Sequence, residues 1–92
     1  MSESEWISSA ADRLARLHGC RFGGKANGRY RIAAKLIRQL AGRRRLYEED
    51  VRDLARALFE RGYVLIDLDS FFVVMSANAF VNYRRANDDM LK

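Results

Sequence analysis

The 92-residue chain contains no proline, one cysteine and one histidine. A single cysteine, Cys20, excludes an intramolecular disulfide, and Cys20 together with His18 supplies too few ligands for a zinc finger. We therefore expect neither a disulfide nor a metal site nor a cofactor. Because proline is absent, the breaks between secondary structure elements have to come from Gly, Asn, Asp and Ser. These residue types cluster at positions 19–28, 42, 62 and 67–70.

Long apolar runs are also absent. The longest, from Phe71 to Met75, has five residues, whereas a membrane-spanning helix needs about 18 or more. Near the amino terminus, Glu3 and Glu5 stand where a secretory signal would carry Lys or Arg before an apolar stretch. The sequence therefore predicts a cytoplasmic protein with no membrane association.

The chain length limits the architecture to one small domain spanning residues 1–92. Large catalytic folds such as barrels and doubly wound sheets need more residues, and a chain of this size buries about 60 % of its unfolded surface in one core. Hydrophobic residues make up 49 % of the sequence, which is typical of a folded protein and excludes a disordered segment.

The net charge of +5 conceals a strong polarity along the chain. Eleven basic residues and no acid lie between Arg13 and Arg45, and each flanking segment carries a net charge of −3. A block of one sign repels itself unless a partner of opposite charge binds it, so this distribution favours binding to a polyanion or an acidic surface. The alternative is a solvated arginine-rich face without a partner.

Apolar residues that recur every three or four positions predict three helices. The first covers residues 2–17, where Ser2 and Glu5 have the spacing of a capping box, and glycine in the left-handed conformation follows it. The second covers about residues 29–41 and ends at Gly42. The third runs from near Tyr47 to Arg61, with acids in its first turn that suit the positive end of the helix dipole.

The second helix and the loop before it carry much of the positive charge. Helical spacing places Arg31, Lys35 and Arg38 on one face, where their mutual repulsion would be relieved by a bound anion. Residues 20–28 show no periodicity and are interpreted as a flexible basic loop, whose glycines could present backbone N–H groups to a phosphate. The loop lacks the spacing of a phosphate-binding P-loop.

Two short runs of aromatic and β-branched residues, 63–67 and 71–75, flank a polar break and predict a β-hairpin. Because both runs are almost continuously apolar, part of the hairpin should be covered on both faces or paired along an edge. A short last helix containing Phe80 and Tyr83 is expected after Ser76 or Asn78, and the tail 87–92 is expected to fray.

The end of the third helix and the strand after it resemble those of a winged helix domain, a fold used by many small bacterial transcription regulators. The resemblance rests on the order of elements and on the pattern Val51-x-x-Leu54-x-x-x-Leu58-x-x-Arg61-Gly62-Tyr63-Val64. It implies an α+β, winged-helix-like domain with three helices, a β-hairpin and a short C-terminal helix. In such domains the third helix enters the DNA major groove, and the hairpin tip approaches the backbone.

The sequence departs from this scheme at both DNA contact points. Glu48, Glu49 and Asp50 begin the third helix, and Asp67 and Asp69 stand at the hairpin tip. Clustered carboxylates are repelled by phosphates, and a carboxylate that accepts from cytosine is normally one acid among many cations. Either the fold is used in a non-standard way, with the basic face on the first two helices and the glycine-rich loop, or the domain binds a protein instead.

The basic face is predicted to bind DNA or RNA. Arginine supplies nine of the eleven cations in the block, which favours bidentate contacts to phosphate or guanine. Phe22 and Tyr30 lie among the cations and either stack on exposed bases or belong to the core. The predicted nucleic-acid-binding residues are Lys25, Arg29, Arg31, Lys35, Arg38, Arg43, Arg44 and Arg45.

Two other functions stay open. A protein-interaction module would dock the basic face on an acidic protein partner, or the hairpin on a partner strand, and the chain could also form a homodimer. An enzyme is the least favoured, since His18 and Cys20 are the only candidates for a nucleophile and base. Their simpler roles are a helix-end residue and a small packing residue, so no catalytic residues are expected.

Overall fold

The computed structural model describes residues 4–91. They form three helices, three strands and two single turns of 3-10 helix, which confirms the α+β class. The helices and strands are α1 (Glu5–His18), β1 (Tyr30–Ala33), α2 (Ala34–Ala41), α3 (Glu48–Glu60), β2 (Tyr63–Asp67) and β3 (Phe71–Ser76). The 3-10 turns are Ala77–Phe80 and Asp88–Leu91.

The three strands form one antiparallel sheet in the order β1-β3-β2, so β3 is central. Ile32 pairs with Phe72 and Leu65 with Val74, which sets the register. Because alternate side chains of a strand point to opposite faces, Ile32, Phe72 and Val74 face the helices and are buried. The β2–β3 hairpin is thus confirmed, with β3 one residue longer than predicted.

The core lies between the inner face of the sheet and the three helices. In α1 and α3 the buried positions recur at three- and four-residue spacing, as the sequence predicted. The fully covered residues of the helices include Leu14, Ile37, Leu54 and Leu58. These apolar contacts dominate the stability of a domain this small.

The predicted boundaries of α1 differ slightly from the observed ones. The helix begins at Glu5, and the side chain of Ser4 in the N-cap position makes no capping hydrogen bond. Ser2, the expected capping residue, lies outside the described residues. The prediction of a left-handed glycine after this helix is wrong, because Gly19 has a φ of −95°.

The prediction of one helix over residues 29–41 is wrong in its first part. Residues Tyr30–Ala33 form β1, and only the eight residues Ala34–Ala41 are helical. Tyr30 and Ile32 alternate with exposed residues, and both lie against β3, where a β-branched side chain packs well. Arg31 therefore lies on the solvent face of a strand and does not share a helix face with Lys35 and Arg38.

The two ends of α2 are held by neighbouring turns. The Ala34 N–H donates to the Ser70 carbonyl at 3.0 Å, which joins the hairpin turn to the first residue of the helix. Gly42 closes the helix in the left-handed conformation, with a φ of 68°, as expected of a terminating glycine.

The region after the sheet contains no regular helix among the described residues. One turn of 3-10 helix, Ala77–Phe80, stands where a short helix was predicted, and the Ser76 hydroxyl accepts from the Asn78 N–H at 3.2 Å. The segment expected to fray contains the second turn, Asp88–Leu91. Across residues 4–91, no helix is both long and apolar enough to cross a membrane.

Candidate nucleic-acid interface

The eight predicted binding residues are all accessible to solvent. Arg38 is half-buried and the other seven are exposed. None of the eight forms an ion pair with another residue in the range 4–91. Their charges are therefore not neutralised within the described part of the chain.

The structure separates these cations into three groups. Lys25, Arg29 and Arg31 lie before and on β1, Lys35 and Arg38 lie on α2, and residues 43–45 follow α2. The first group lines one concave surface. The single stripe that helical spacing predicted for Arg31, Lys35 and Arg38 does not exist.

The segment predicted as a flexible loop contains a tight turn. The Phe22 N–H donates to the Lys25 carbonyl at 3.0 Å, and the Lys25 N–H donates to the Phe22 carbonyl at 3.1 Å. Gly23 and Gly24 have φ values of 59° and 83°, and a two-residue turn with positive φ at both positions suits a β-hairpin. We call residues 20–29 the glycine hairpin.

The glycine hairpin is attached to the carboxyl end of α1. The Gly28 N–H donates to the His18 carbonyl at 2.9 Å, and the Cys20 N–H donates to the Leu17 carbonyl at 3.1 Å. These bonds satisfy carbonyls that a helix end would otherwise leave free. Backbone hydrogen bonds thus help to fix the position of the hairpin at the end of α1.

The two aromatic residues of this region have different environments. Tyr30 is only 8 % exposed, and its hydroxyl donates to the Leu14 carbonyl at 2.5 Å. Burial raises the pKa of the Tyr30 hydroxyl above its ordinary range. Tyr30 is therefore a core residue, which is one of the two roles that the sequence left open for it.

Phe22 remains accessible. Its side chain is 43 % exposed, and its ring packs edge-to-face with Tyr30 at a centroid distance of 5.4 Å and an interplanar angle of 79°. The buried tyrosine thus supports an exposed aromatic ring in a defined orientation.

A concave pocket of about 440 Å³ lies between the glycine hairpin and β1. Phe22, Lys25, Arg29 and Arg31 line it together with the backbone of the hairpin, and no acid does. Its volume is in the range of pockets that hold small ligands, roughly 300–1,000 Å³. We call this cavity the hairpin pocket.

A second, smaller concavity of about 160 Å³ adjoins the hairpin pocket, since Cys20 lines both. Arg13 and Arg16 of α1 line it opposite Leu40 of α2, and the Arg13 guanidinium donates to the Leu40 carbonyl at 3.3 Å. These two arginines are not among the predicted binding residues, although both belong to the acid-free block and fall off the apolar face of α1.

Arg43 lies in a different place from the hairpin pocket. Its guanidinium carbon is 4.7 Å from the centre of the Trp6 ring, within the range of a cation–π interaction. Trp6 is twelve residues before His18, a separation of about 18 Å along a helix. Arg43 thus packs on the first turns of α1, whereas the hairpin pocket is at its last turn.

The exposed surface of α3 is more acidic than basic, with four acids against two arginines. These exposed residues are Glu48, Glu49, Arg52, Asp53, Arg56 and Glu60. Asp50 has a local role, because its carboxylate accepts from the Tyr47 N–H at 3.0 Å at the start of the helix. The net negative charge of this face repels a phosphate backbone.

The hairpin turn between β2 and β3 is short and acidic. It contains only residues 68–70, and the Asp67 carboxylate accepts from the Asp69 N–H at 2.9 Å. Asp69 has a φ of 75°, a conformation that Asp adopts more readily than most residues. The two acids therefore shape the turn.

His18 and Cys20 do not form a nucleophile–base pair. The His18 ring packs against Tyr63 at a centroid distance of 5.0 Å, whereas the Cys20 thiol donates to the Arg16 carbonyl at 3.2 Å. In the part of the chain that the structure describes, no group of three or more His, Cys, Asp or Glu side chains is placed to hold a metal ion.

Comparisons with known proteins identify no relative of this chain. No protein-family model, no curated protein and no solved structure matches the chain.

Proposed function

We propose that this chain is a nucleic-acid-binding regulatory protein that contacts phosphates through its arginine-rich surface. The observation that carries the proposal is the pair of adjoining concavities at the end of α1, which five cations line and no acid lines. The five cations are Arg13, Arg16, Lys25, Arg29 and Arg31. Phosphate contacts of this kind supply most of the affinity of non-specific nucleic-acid binding.

We further propose that the domain is winged-helix-like. Three helices followed by the β2–β3 hairpin support this assignment, as does the sheet that closes the core. The docking differs from the usual geometry of that fold, because the α3 surface is acidic and the hairpin turn has only three residues. The nucleic acid lies instead on the side formed by α1, α2 and the glycine hairpin.

A homodimer is part of the same proposal. A symmetric dimer doubles the number of phosphate contacts that a small domain can make, and many regulators bind DNA in this form. Light scattering coupled to size-exclusion chromatography measures the mass in solution. A free protein with the mass of one chain, together with a complex that contains one chain per nucleic acid, would contradict a dimer.

A charge-reversal comparison tests the binding surface. We expect Arg29→Glu combined with Arg31→Glu to lower the affinity for labelled oligonucleotides at least tenfold at low salt, since each cation lines the hairpin pocket. Arg52→Glu combined with Arg56→Glu changes the net charge equally but alters α3, and should lower affinity about threefold or less. Equal losses in the two variants would show that net charge alone is responsible.

The salt dependence provides a second measure. If five phosphates of a duplex are contacted, the logarithm of the association constant should fall against the logarithm of salt concentration with a slope of about −4.5. Binding that does not change with salt, or no binding of any nucleic acid at low salt, would overturn the proposal.

A protein-interaction module is the second candidate function, with an acidic partner on the basic face or a partner strand on the hairpin. The outer face of the sheet favours it, because its apolar side chains are only half-buried. They are Val64, Ile66, Phe71, Val73 and Met75. A partner that stays bound to the tagged protein after nuclease treatment would support this function over the first.

A further inference from the structure

We propose that the hairpin pocket binds an unpaired nucleotide, so that the preferred ligand is single-stranded nucleic acid rather than a duplex. This inference rests on the proposed function and names its substrate class. It follows from three features that meet in one cavity: an exposed aromatic ring, three unpaired cations and a glycine-rich backbone.

Phe22 provides the surface on which a base stacks. Its ring is 43 % exposed in a pocket wall, while Tyr30 supports it edge-to-face from the core. Tyr30 is itself fixed by the hydrogen bond to the Leu14 carbonyl. An aromatic ring held in this way loses little conformational freedom when a base stacks on it.

The cations of the pocket are placed to hold the phosphates on either side of the stacked base. Lys25 pairs with Phe22 across the two-residue turn of Gly23 and Gly24. Of the two arginines in the pocket, Arg29 immediately precedes β1 and Arg31 lies within it. Arg31 also lies 6.0 Å from the centre of the Phe71 ring, so its guanidinium is positioned over the solvent face of the sheet. None of the three has an acidic partner among residues 4–91.

The ring selects an unpaired base because the faces of a base inside a duplex are covered by its neighbours. A protein reaches only the edges of paired bases through the grooves, whereas an unstacked base offers its whole face. The elements that would enter a groove are poorly suited to do so here, since α3 is acidic and the β2–β3 turn is short.

Fluorescence anisotropy with one labelled 15-mer tests this inference. The 15-mer is measured as single-stranded DNA, as single-stranded RNA and as a DNA duplex, at two salt concentrations. We expect wild type to bind one or both single strands more tightly than the duplex, and the DNA and RNA arms show which sugar is preferred. Equal or tighter binding of the duplex would overturn the inference.

Substitution of Phe22 separates stacking from charge. Phe22→Leu retains apolar contact with Tyr30 but has no aromatic face, and should weaken single-strand binding about 5- to 100-fold with duplex binding unchanged within twofold. Phe22→Tyr retains the ring and should bind like wild type. Phe59→Leu is the matched control, because Phe59 is 65 % exposed on α3. An equal effect of Phe22→Leu on single strand and duplex, or no effect on either, would overturn the inference.

Crosslinking of the wild-type protein gives a readout that does not depend on the folding of a variant. A single strand containing 5-iodouracil is irradiated in the complex, and trypsin then releases the peptide 22–25. We expect the adduct on that peptide, whereas adducts confined to α3 would overturn the inference. Wild type that binds nucleic acid but fails these tests leaves the proposed function in place. Wild type that binds no nucleic acid overturns both.

Discussion

The guanidinium of Arg61 lies 2.7 Å, measured from Nε, from Oδ1 of Asp12. Arg61 follows the last residue of α3, and Asp12 is on α1, so this salt bridge joins the two longest helices. The same guanidinium donates to the Ala57 carbonyl at 2.8 Å and to the Ser8 hydroxyl at 3.2 Å. Arg61 is part of the pattern that resembles a winged helix domain, and in this chain it has a structural role between helices.

Removal of this contact should destabilise the fold. We expect Arg61→Ala to lower the free energy of unfolding by about 1–3 kcal/mol, because it deletes several charge-assisted hydrogen bonds at a half-buried side chain. Asp12→Ala should cost less, about 0.5–1 kcal/mol, since Asp12 is largely exposed and its ion pair is partly screened. Urea unfolding measures both values. Asp53→Ala on the exposed face of α3 is the control, and an Arg61→Ala midpoint equal to that of the control would contradict the prediction.

The buried hydroxyl of Tyr30 should make the protein sensitive to alkaline pH. Burial raises the pKa of Tyr30 in the folded state, so the folded protein keeps a proton that the unfolded chain releases above about pH 10. Stability is therefore fully present below that pH and decreases as the pH rises further. Unfolding midpoints of wild type and Tyr30→Phe, measured at neutral pH and at several alkaline values, should show the larger alkaline loss in wild type.

Tyr30→Phe itself removes the hydrogen bond to the Leu14 carbonyl. At neutral pH we expect the variant to be less stable by about 1 kcal/mol. The difference between the two proteins should then narrow with increasing pH. A constant difference over the alkaline range would show that Tyr30 does not titrate on unfolding.

We expect the stability of the glycine hairpin to depend on the positive φ of its turn residues and not on the room available for a side chain at those positions. A Cβ atom at Gly23 would meet no other atom within 4 Å, but the residue has a φ of 59°. We expect Gly23→Ala to cost about 1 kcal/mol locally, whereas Gly23→Asn should cost less, because Asn is a preferred residue in such turns. Amide hydrogen exchange at Lys25, whose N–H donates to the Phe22 carbonyl, reports the opening of the turn. Exchange in both variants equal to that of wild type would indicate that the turn tolerates any side chain.

Local patterns in the sequence predicted most of the regular structure. Apolar spacing located α1 and α3 because a helix that packs on a core must present one apolar stripe. The paired apolar runs located β2 and β3 because the short break of three residues between them, 68–70, permits little other than a hairpin. The uninterrupted basic block likewise predicted a binding surface, and its cations are exposed in the structure except for the half-buried Arg38.

Contacts between distant parts of the chain determined β1 and the first residue of α2, which the local pattern did not predict. The residues 30–33 have a sequence that also suits a helix, and they become β1 because Tyr30 pairs with Val74 and Ile32 with Phe72 in the folded protein. Those partners are far along the chain, so the local pattern carried no sign of them. The strand delays the start of the second helix to Ala34 and places Arg31 on the sheet.

The arrangement of the cations has the same origin. By itself the sequence determined that eleven basic residues lie together between two acidic flanks, along with the positions of two helices and a hairpin. The tertiary structure alone decided that Arg13 and Arg16 adjoin Lys25, Arg29 and Arg31 around Cys20, whereas Arg43 packs on Trp6. The sequence gives the order of charges along the chain, but a binding surface depends on which segments the core brings together.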